Sequence, residues 1–132
     1  MLYTYNDYCR AEKHLTIEEC LKLHEEIAEG IGSDPDAQEL YDDLITACAD
    51  YSGMRAAWTV HDNQWRNEHD KTRTIYHDDV LAAFNILARY LEKEGRNTAW
   101  MDTLGRSGKG LDRKRVGDFA CFLTFIQGIN GR

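Results

Sequence analysis

The chain has 132 residues, of which 30% are charged and 42% are hydrophobic, and its formal net charge is −7 at pH 7. A chain of this length and composition folds as one globular domain and has too many apolar residues to be intrinsically disordered. Its acidity argues against non-specific attraction to nucleic acid or to an anionic membrane, because both would repel it.

The sequence predicts a cytoplasmic protein that has no membrane anchor and no cofactor. Residues 1–8 contain neither the basic start nor the apolar segment of a secretory signal. The longest apolar stretch, over 119–126, is far shorter than the roughly 20 residues that cross a bilayer. The four cysteines show no Cys-x-x-Cys spacing, so we expect reduced thiols rather than a zinc ribbon or a redox motif.

The predicted fold class is all-α, a bundle of four or five helices in a single domain over 1–132, with an N-terminal arm over 1–15. The chain contains a single proline, which favours long helices over turn-rich β structure. The first helix is predicted over about 16–29, because Thr16 and Glu19 have the spacing of a capping box.

Asp34 and Pro35 predict the start of a second helix, because aspartate caps helices and proline fits the first helical position. The helical spacing of apolar residues continues over 35–69, and Gly53 allows a kink because glycine weakens a helix interior. Residues 71–73 are predicted to form a polar joint before the next helix.

The second half of the chain predicts two more long helices. Thr74 suits the N-cap of a helix over 74–94, and Asp112 suits the N-cap of a helix over 112–127. The glycine-rich segment 105–110 between them predicts a flexible loop. The last helix is apolar nearly all round, which predicts a central position in the bundle.

A His-Asp pair recurs three times at intervals of eight residues: His61-Asp62, His69-Asp70 and His77-Asp78. Histidine and aspartate are common metal ligands, so the repeat raises a metal-site hypothesis with His61, Asp62 and His69 as candidate ligands. On a helix, however, positions eight apart point about 80° away from each other, whereas shared ligands need spacings of three or four. We therefore expect no bound metal.

His24, the His61-Asp62 pair and Asp118 follow one another in an order that resembles the helical, metal-dependent phosphohydrolases of the HD superfamily. The resemblance implies hydrolysis of a phosphate ester at a metal site. The competing interpretation is structural, because His24 falls within an apolar helical stripe and Asp118 falls at a helix start, where acids are favoured. A metal-dependent phosphohydrolase is therefore the alternative to a non-enzymatic protein.

Five cations cluster towards the C-terminal end of the chain, at Arg106, Lys109, Arg113, Lys114 and Arg115. Residues 106–115 carry a net charge of +4, whereas the rest of the chain carries −11. Cations are disfavoured at the start of a helix, so negative groups should lie close to Arg113, Lys114 and Arg115. These groups are either acids of the chain itself, which we favour, or an external phosphate, nucleic acid or acidic partner.

Trp58 and Trp65 fall on one face of the predicted second helix, together with His61, Asp62 and His69. Tryptophans on a helical stripe usually pack in a core, but tryptophan is also enriched in binding hot spots. Trp65 is therefore a candidate contact for a partner.

The residues that carry a family resemblance are Arg113 to Cys121, Arg73-Thr74 and His77-Asp78. From about Leu40 to its end, the chain resembles small uncharacterised all-helical proteins of Firmicutes and their mobile elements. The resemblance brings no catalytic residues. It implies a bacterial or phage accessory protein, a class that includes inhibitors of host defence systems.

Taken together, these patterns predict a non-enzymatic, acidic protein that binds a macromolecular partner. A protein partner is favoured, self-association into a homo-oligomer is a further option, and nucleic acid is an alternative partner for 106–115. The candidates for partner or anion binding are Arg106, Lys109, Arg113, Lys114, Arg115 and Trp65.

Overall fold

The computed structural model describes the backbone of residues 16–108 and 110–130 and the side chains up to Ile126, except Lys109. The fold is all-α, as predicted. The α-helices are α1 (Ile17–Ile31), α2 (Pro35–Val60), α3 (Asn63–Lys93), α4 (Ala99–Thr103) and α5 (Val116–Asn130). Two short strands, β1 (Arg106–Ser107) and β2 (Gly110–Leu111), and a 3-10 helix (Arg113–Arg115) lie between α4 and α5. The N-terminal arm predicted over 1–15 lies outside the described residues.

The first two helices begin where the sequence predicts. The Thr16 hydroxyl accepts a hydrogen bond from the Glu19 amide at 3.1 Å, and the Glu19 carboxylate accepts one from the Thr16 amide at 3.0 Å. The two bonds complete the predicted capping box. At the start of α2, the Asp34 carboxylate accepts a hydrogen bond from the Asp36 amide at 2.9 Å.

The predicted helix over 35–69 is wrong beyond residue 60. Helix α2 passes through Gly53 and ends at Val60, and the chain turns at His61 and Asp62 before α3 begins. The Asp62 carboxylate accepts a hydrogen bond from the Trp65 amide at 2.9 Å. This bond satisfies a backbone donor that a new helix leaves unpaired, so Asp62 starts a second helix instead of continuing the first.

The predicted joint at 71–73 and the predicted N-cap at Thr74 are also wrong, because both lie inside α3, which runs unbroken for 31 residues. The Thr74 hydroxyl donates to the Asp70 carbonyl at 3.1 Å, the bond that threonine makes within a helix rather than at its start. Residues 71–73 are polar, but they contain no glycine or proline that would interrupt the helical hydrogen bonds.

The segment predicted as a flexible loop forms a tight antiparallel hairpin, in which Arg106 faces Leu111 and Ser107 faces Gly110. Asp112 is an N-cap as predicted, since its carboxylate accepts a hydrogen bond from the Lys114 amide at 3.0 Å. The cap begins the 3-10 helix rather than α5 itself, and α5 then continues to residue 130 instead of 127.

Helix α5 lies at the centre of the core, as its apolar sequence predicts. Its buried side chains are Val116, Phe119, Ala120, Phe122, Leu123, Phe125 and Ile126. From α3, the Phe84 ring packs edge-on against Phe119 with centroids 5.0 Å apart. Within 16–108 and 110–130, every helix is too short or too polar to cross a lipid bilayer.

The last third of α2 and the first half of α3 contact this core only through partly buried side chains such as Tyr76. Between Tyr51 and Val80, no side chain of residues 52–79 is fully buried. We call residues 52–79 the helical tip. Contacts between aromatic rings hold the α2 and α3 parts of the tip together. The Arg66 side chain adds a hydrogen bond, because its Nε donates to the Trp58 carbonyl at 2.8 Å.

Candidate anion-binding cleft

The cations of residues 106–115, the basic segment, do not form one surface, because the Arg106 side chain is mostly buried. Its side chain is only 8% exposed and forms ion pairs with Asp102 at 2.7 Å and with Glu92 at 3.3 Å. It also donates to the Thr98 hydroxyl at 3.1 Å. The hydrogen bond from Arg106 lowers the pKa of Asp102, and the same bond raises the pKa of Arg106. Arg106 is therefore compensated by acids of the chain itself.

Arg115 is also paired within the fold rather than directed to a ligand. Its Nη1 lies 4.0 Å from an Asp118 carboxylate oxygen, and its side chain packs beside Gly105. Lys109 lies outside the described residues. Arg113 and Lys114 thus remain as the described cations of the segment that face outwards.

Arg113 and Lys114 meet residues of α3 at a cleft of about 230 Å³. The lining of this basic cleft consists of Arg73, Thr74, His77, Arg113 and Lys114. Clefts for drug-sized ligands measure roughly 300–1,000 Å³, so this one suits a smaller group. Three permanent cations line it, and their guanidinium and ammonium groups are donors for an oxyanion.

The α3 side of the basic cleft is held in place by contacts within α3 and with α2. The guanidinium carbon of Arg73 lies 4.9 Å from the centre of the Trp58 ring, and Arg73 Nη2 lies 3.2 Å from the Asp70 carboxylate. The His77 ring meets the Tyr51 ring edge-on, with centroids 5.7 Å apart. His77 Nε2 lies 3.3 Å from the Arg113 carbonyl, to which it can only donate.

The acids near the basic cleft offset only part of its charge. Asp70 pairs with Arg73, and Asp78 lies 3.3 Å from Arg113, whereas no acid of the described residues pairs with Lys114. Arg73 Nε, a buried donor of the lining, has no hydrogen-bond partner in the described part of the chain. His77 Nδ1 also has none, but in the neutral ring it can only accept, because Nε2 carries the proton. The cleft is therefore locally positive on an acidic protein and has unused hydrogen-bonding capacity.

Trp65 is not free to stack on a ligand. Its ring is sandwiched between His61 and His69, with centroids 4.1 and 3.9 Å away, and it meets Trp58 edge-on at 6.3 Å. Both ring faces are therefore covered by side chains of the same chain. The prediction that these residues share one face of a single helix is wrong, because the chain turns at His61 and Asp62. The four rings instead gather across the α2–α3 turn.

The candidate metal ligands also have structural contacts. Asp62 caps α3, and His69 Nδ1 donates to the Trp65 carbonyl at 2.8 Å. In the described ranges, no three His, Cys, Asp or Glu side chains lie close enough together to hold a metal ion. His24 and Asp118 therefore do not complete a metal centre with His61 and Asp62 there.

Sequence reasoning missed Arg73, Thr74 and His77 as members of this site. Their spacing of three and four would have placed them on one face of a helix, had a helix been predicted across 71–73. No local pattern joins them to Arg113 and Lys114, which lie 36 or more residues away in the chain. Comparison with known proteins finds no family model, no curated protein and no solved structure that matches this chain.

Proposed function

We propose that this chain is a non-enzymatic binding protein whose basic cleft holds a phosphoryl group or a carboxylate of a protein partner. The observation that carries the proposal is the convergence of Arg73, Arg113 and Lys114 from two separate elements on one small cleft. The chain as a whole has a charge of −7, so this concentration of cations contrasts with the rest of the sequence.

A protein partner fits the charge distribution better than a nucleic acid does. A nucleic-acid backbone carries charge along its whole length and needs a row of cations to neutralise it. Arg106, which would have extended such a row, is buried in its ion pairs. An acidic surface around one basic cleft favours a partner that presents a single anionic group.

A phosphoryl group is favoured over a carboxylate within this class. The guanidinium groups of Arg73 and Arg113 can each donate two hydrogen bonds in a fork, and a phosphoryl dianion accepts more of them than a carboxylate does. The resemblance to bacterial and phage accessory proteins extends the proposal to a partner from a host system.

A titration followed by backbone amide NMR tests the proposal. The probes are inorganic phosphate, acetate, and one short peptide in its serine and phosphoserine forms. We expect phosphate and the phosphoserine peptide to shift the amide signals of Thr74 and Lys114, with acetate acting more weakly and the serine peptide not at all. Changing Arg113→Gln and Lys114→Gln together should weaken binding about tenfold or more, because two charge-assisted contacts are lost.

The matched control changes Lys22→Gln and Lys71→Gln, which removes the same charge from exposed positions that do not line the cleft. This control should bind within about twofold of the unchanged protein, because exposed charges that do not line the cleft act on the anion only through salt-screened solvent. An equal loss in both variants, or no binding of either phosphate probe, would refute the proposal. A single-stranded oligonucleotide that binds more tightly than the phosphopeptide at physiological salt would favour the nucleic-acid alternative.

A further inference from the structure

Helix α3 carries an exposed stripe on the side that faces away from the core. The residues of this α3 stripe are Ile75, Asp79, Ala82, Ile86, Arg89 and Lys93, and all six are exposed. Their spacing alternates between four and three, so at 100° per residue they share a sector of about 80°. Ile75 and Ile86 are each 50% exposed, although both are large apolar side chains. Three side chains of the α3 stripe are apolar and three are charged, namely Asp79, Arg89 and Lys93.

We propose that the α3 stripe is a two-fold interface between two copies of this chain, with the two α3 helices antiparallel. This inference goes beyond the proposed function and does not depend on the basic cleft. It uses residues that neither the core nor the cleft employs.

The positions of the charged residues indicate that a second copy of the chain packs on the α3 stripe. If the two-fold axis passes at the level of residue 84, Asp79 faces Arg89 of the second copy, and this ion pair occurs twice. The same register places Ala82 against Ile86, a small side chain against a large one. Neither Asp79 nor Arg89 has an ion-pair partner within the described chain. The remaining pair places Ile75 against Lys93, whose methylene stem can cover an apolar side chain. The stripe is therefore complementary to itself in charge at the two Asp79–Arg89 pairs.

Other arrangements of the same two helices fit less well. A parallel pair would place Asp79 against Asp79 and Arg89 against Arg89, and like charges at an interface are strongly unfavourable. An antiparallel pair shifted by one heptad would bring Ile75 against Ile86. It would also place Asp79 against Ala82 at the centre of the interface, where Asp79 would have no ion-pair partner. Charge complementarity thus selects the register centred on residue 84.

The expected association is weak. One face of a single helix pair buries less surface than the roughly 1,200–2,000 Å² of a typical stable interface. We expect dissociation in the micromolar to millimolar range, so that the monomer predominates in dilute solution. Self-association should therefore depend on protein concentration over this range.

Charge reversal followed by sedimentation velocity tests both the interface and its register. Asp79→Lys and Arg89→Asp, each alone, should weaken self-association at least about tenfold, because like charges then face each other twice. An equimolar mixture of the two variants should associate again. In the mixed pair, the lysine introduced at position 79 faces the aspartate introduced at position 89, and the original Arg89 faces the original Asp79.

The matched controls are Asp43→Lys on α2 and Lys22→Asp on α1, which reverse the same charges at exposed positions outside the α3 stripe. These controls should associate like the unchanged protein. A chain that stays monomeric up to millimolar concentration would overturn the interface. A mixture that associates no better than its separate components would overturn the register, and folding of each variant is checked by circular dichroism.

Discussion

Arg106 and Arg113 belong to the same basic segment, yet the fold gives them opposite environments. Arg106 is 8% exposed and contacts Asp102, Glu92 and Thr98, whereas Arg113 is 66% exposed and has a single acid, Asp78, at 3.3 Å. The hairpin directs Arg106 towards α4 and the end of α3. The 3-10 helix leaves Arg113 at the edge of the basic cleft.

The difference teaches that a run of cations in a sequence is not one functional unit. The compensation predicted from the chain's own acids is found at Arg113 and Arg115, and also at Arg106. The same compensation is incomplete at the cleft, where Lys114 has no ion pair with a described acid. Partner binding should therefore depend on Arg113 and Lys114, and folding should depend on Arg106.

The largest expected effect comes from Gly105, which directly precedes Arg106 and packs against Arg115. Its φ of +124° lies in the region that favours glycine, and an added Cβ would lie 2.8 Å from the Arg115 Cβ. We expect Gly105→Ala to lower the free energy of unfolding by about 3 kcal/mol, since it combines backbone strain with a clash. Urea denaturation measures the change.

Gly53→Ala is the matched control, because an added Cβ at this exposed helical position meets nothing within 4 Å. It should raise the free energy of unfolding by about 0.5–1 kcal/mol, since alanine is the better helix former. Equal effects of the two changes would mean that the hairpin does not impose its backbone conformation on Gly105.

The next largest effect is the difference in the free energy of unfolding between variants of Arg106 and Arg113. Arg106→Gln should lower the free energy of unfolding by about 2 kcal/mol, because it removes charge-assisted hydrogen bonds from a mostly buried position. Arg113→Gln should change it by less than about 0.5 kcal/mol, because its ion pair is exposed on both sides. Chemical denaturation of both variants side by side decides the comparison, and similar losses would contradict it.

The smallest effect concerns pH. The hydrogen bond from Arg106 lowers the pKa of Asp102 in the folded protein. A lowered folded pKa means that the contribution of Asp102 to stability is present above its unfolded pKa of about 4, and is lost as the pH falls through the folded value. The stability difference between the unchanged protein and Asp102→Asn should therefore shrink between about pH 5 and pH 2.

Denaturation at several pH values measures this difference. Asp43→Asn serves as the control at an exposed acid outside the network, and its difference should vary less over the same interval. A constant difference for Asp102→Asn would show that the ion pair with Arg106 does not contribute to folding.

Local rules predicted much of the fold. The capping box at Thr16, the cap at Asp34 and the central position of α5 follow from neighbouring residues and apolar spacing, and all three are confirmed. The turn at His61 and Asp62 was missed because the helical pattern of Trp58, Trp65 and His69 continues across it. The structure shows the new helix through the extended backbone of His61 and Asp62 and through the hydrogen bond that the Asp62 carboxylate accepts.

The candidate site was predicted only in part, for a related reason. The sequence indicates Arg113 and Lys114 as candidates, because cations at a helix start require compensation. It does not indicate that Arg73 and His77 approach them, since that contact depends on how α3 packs beside the 3-10 helix. Long-range packing of this kind has no signature in a single sequence.

The position of the basic cleft at the base of the helical tip has a consequence for local unfolding. Because no side chain of 52–79 is fully buried, the amides of the tip should exchange with solvent through openings that cost less than global unfolding. Arg73 and His77 belong to the tip, whereas Arg113 and Lys114 belong to the body. An anion bound between them stabilises only the closed form of the tip. It should therefore slow hydrogen exchange across all of residues 52–79, although it contacts the tip only near Arg73 and His77.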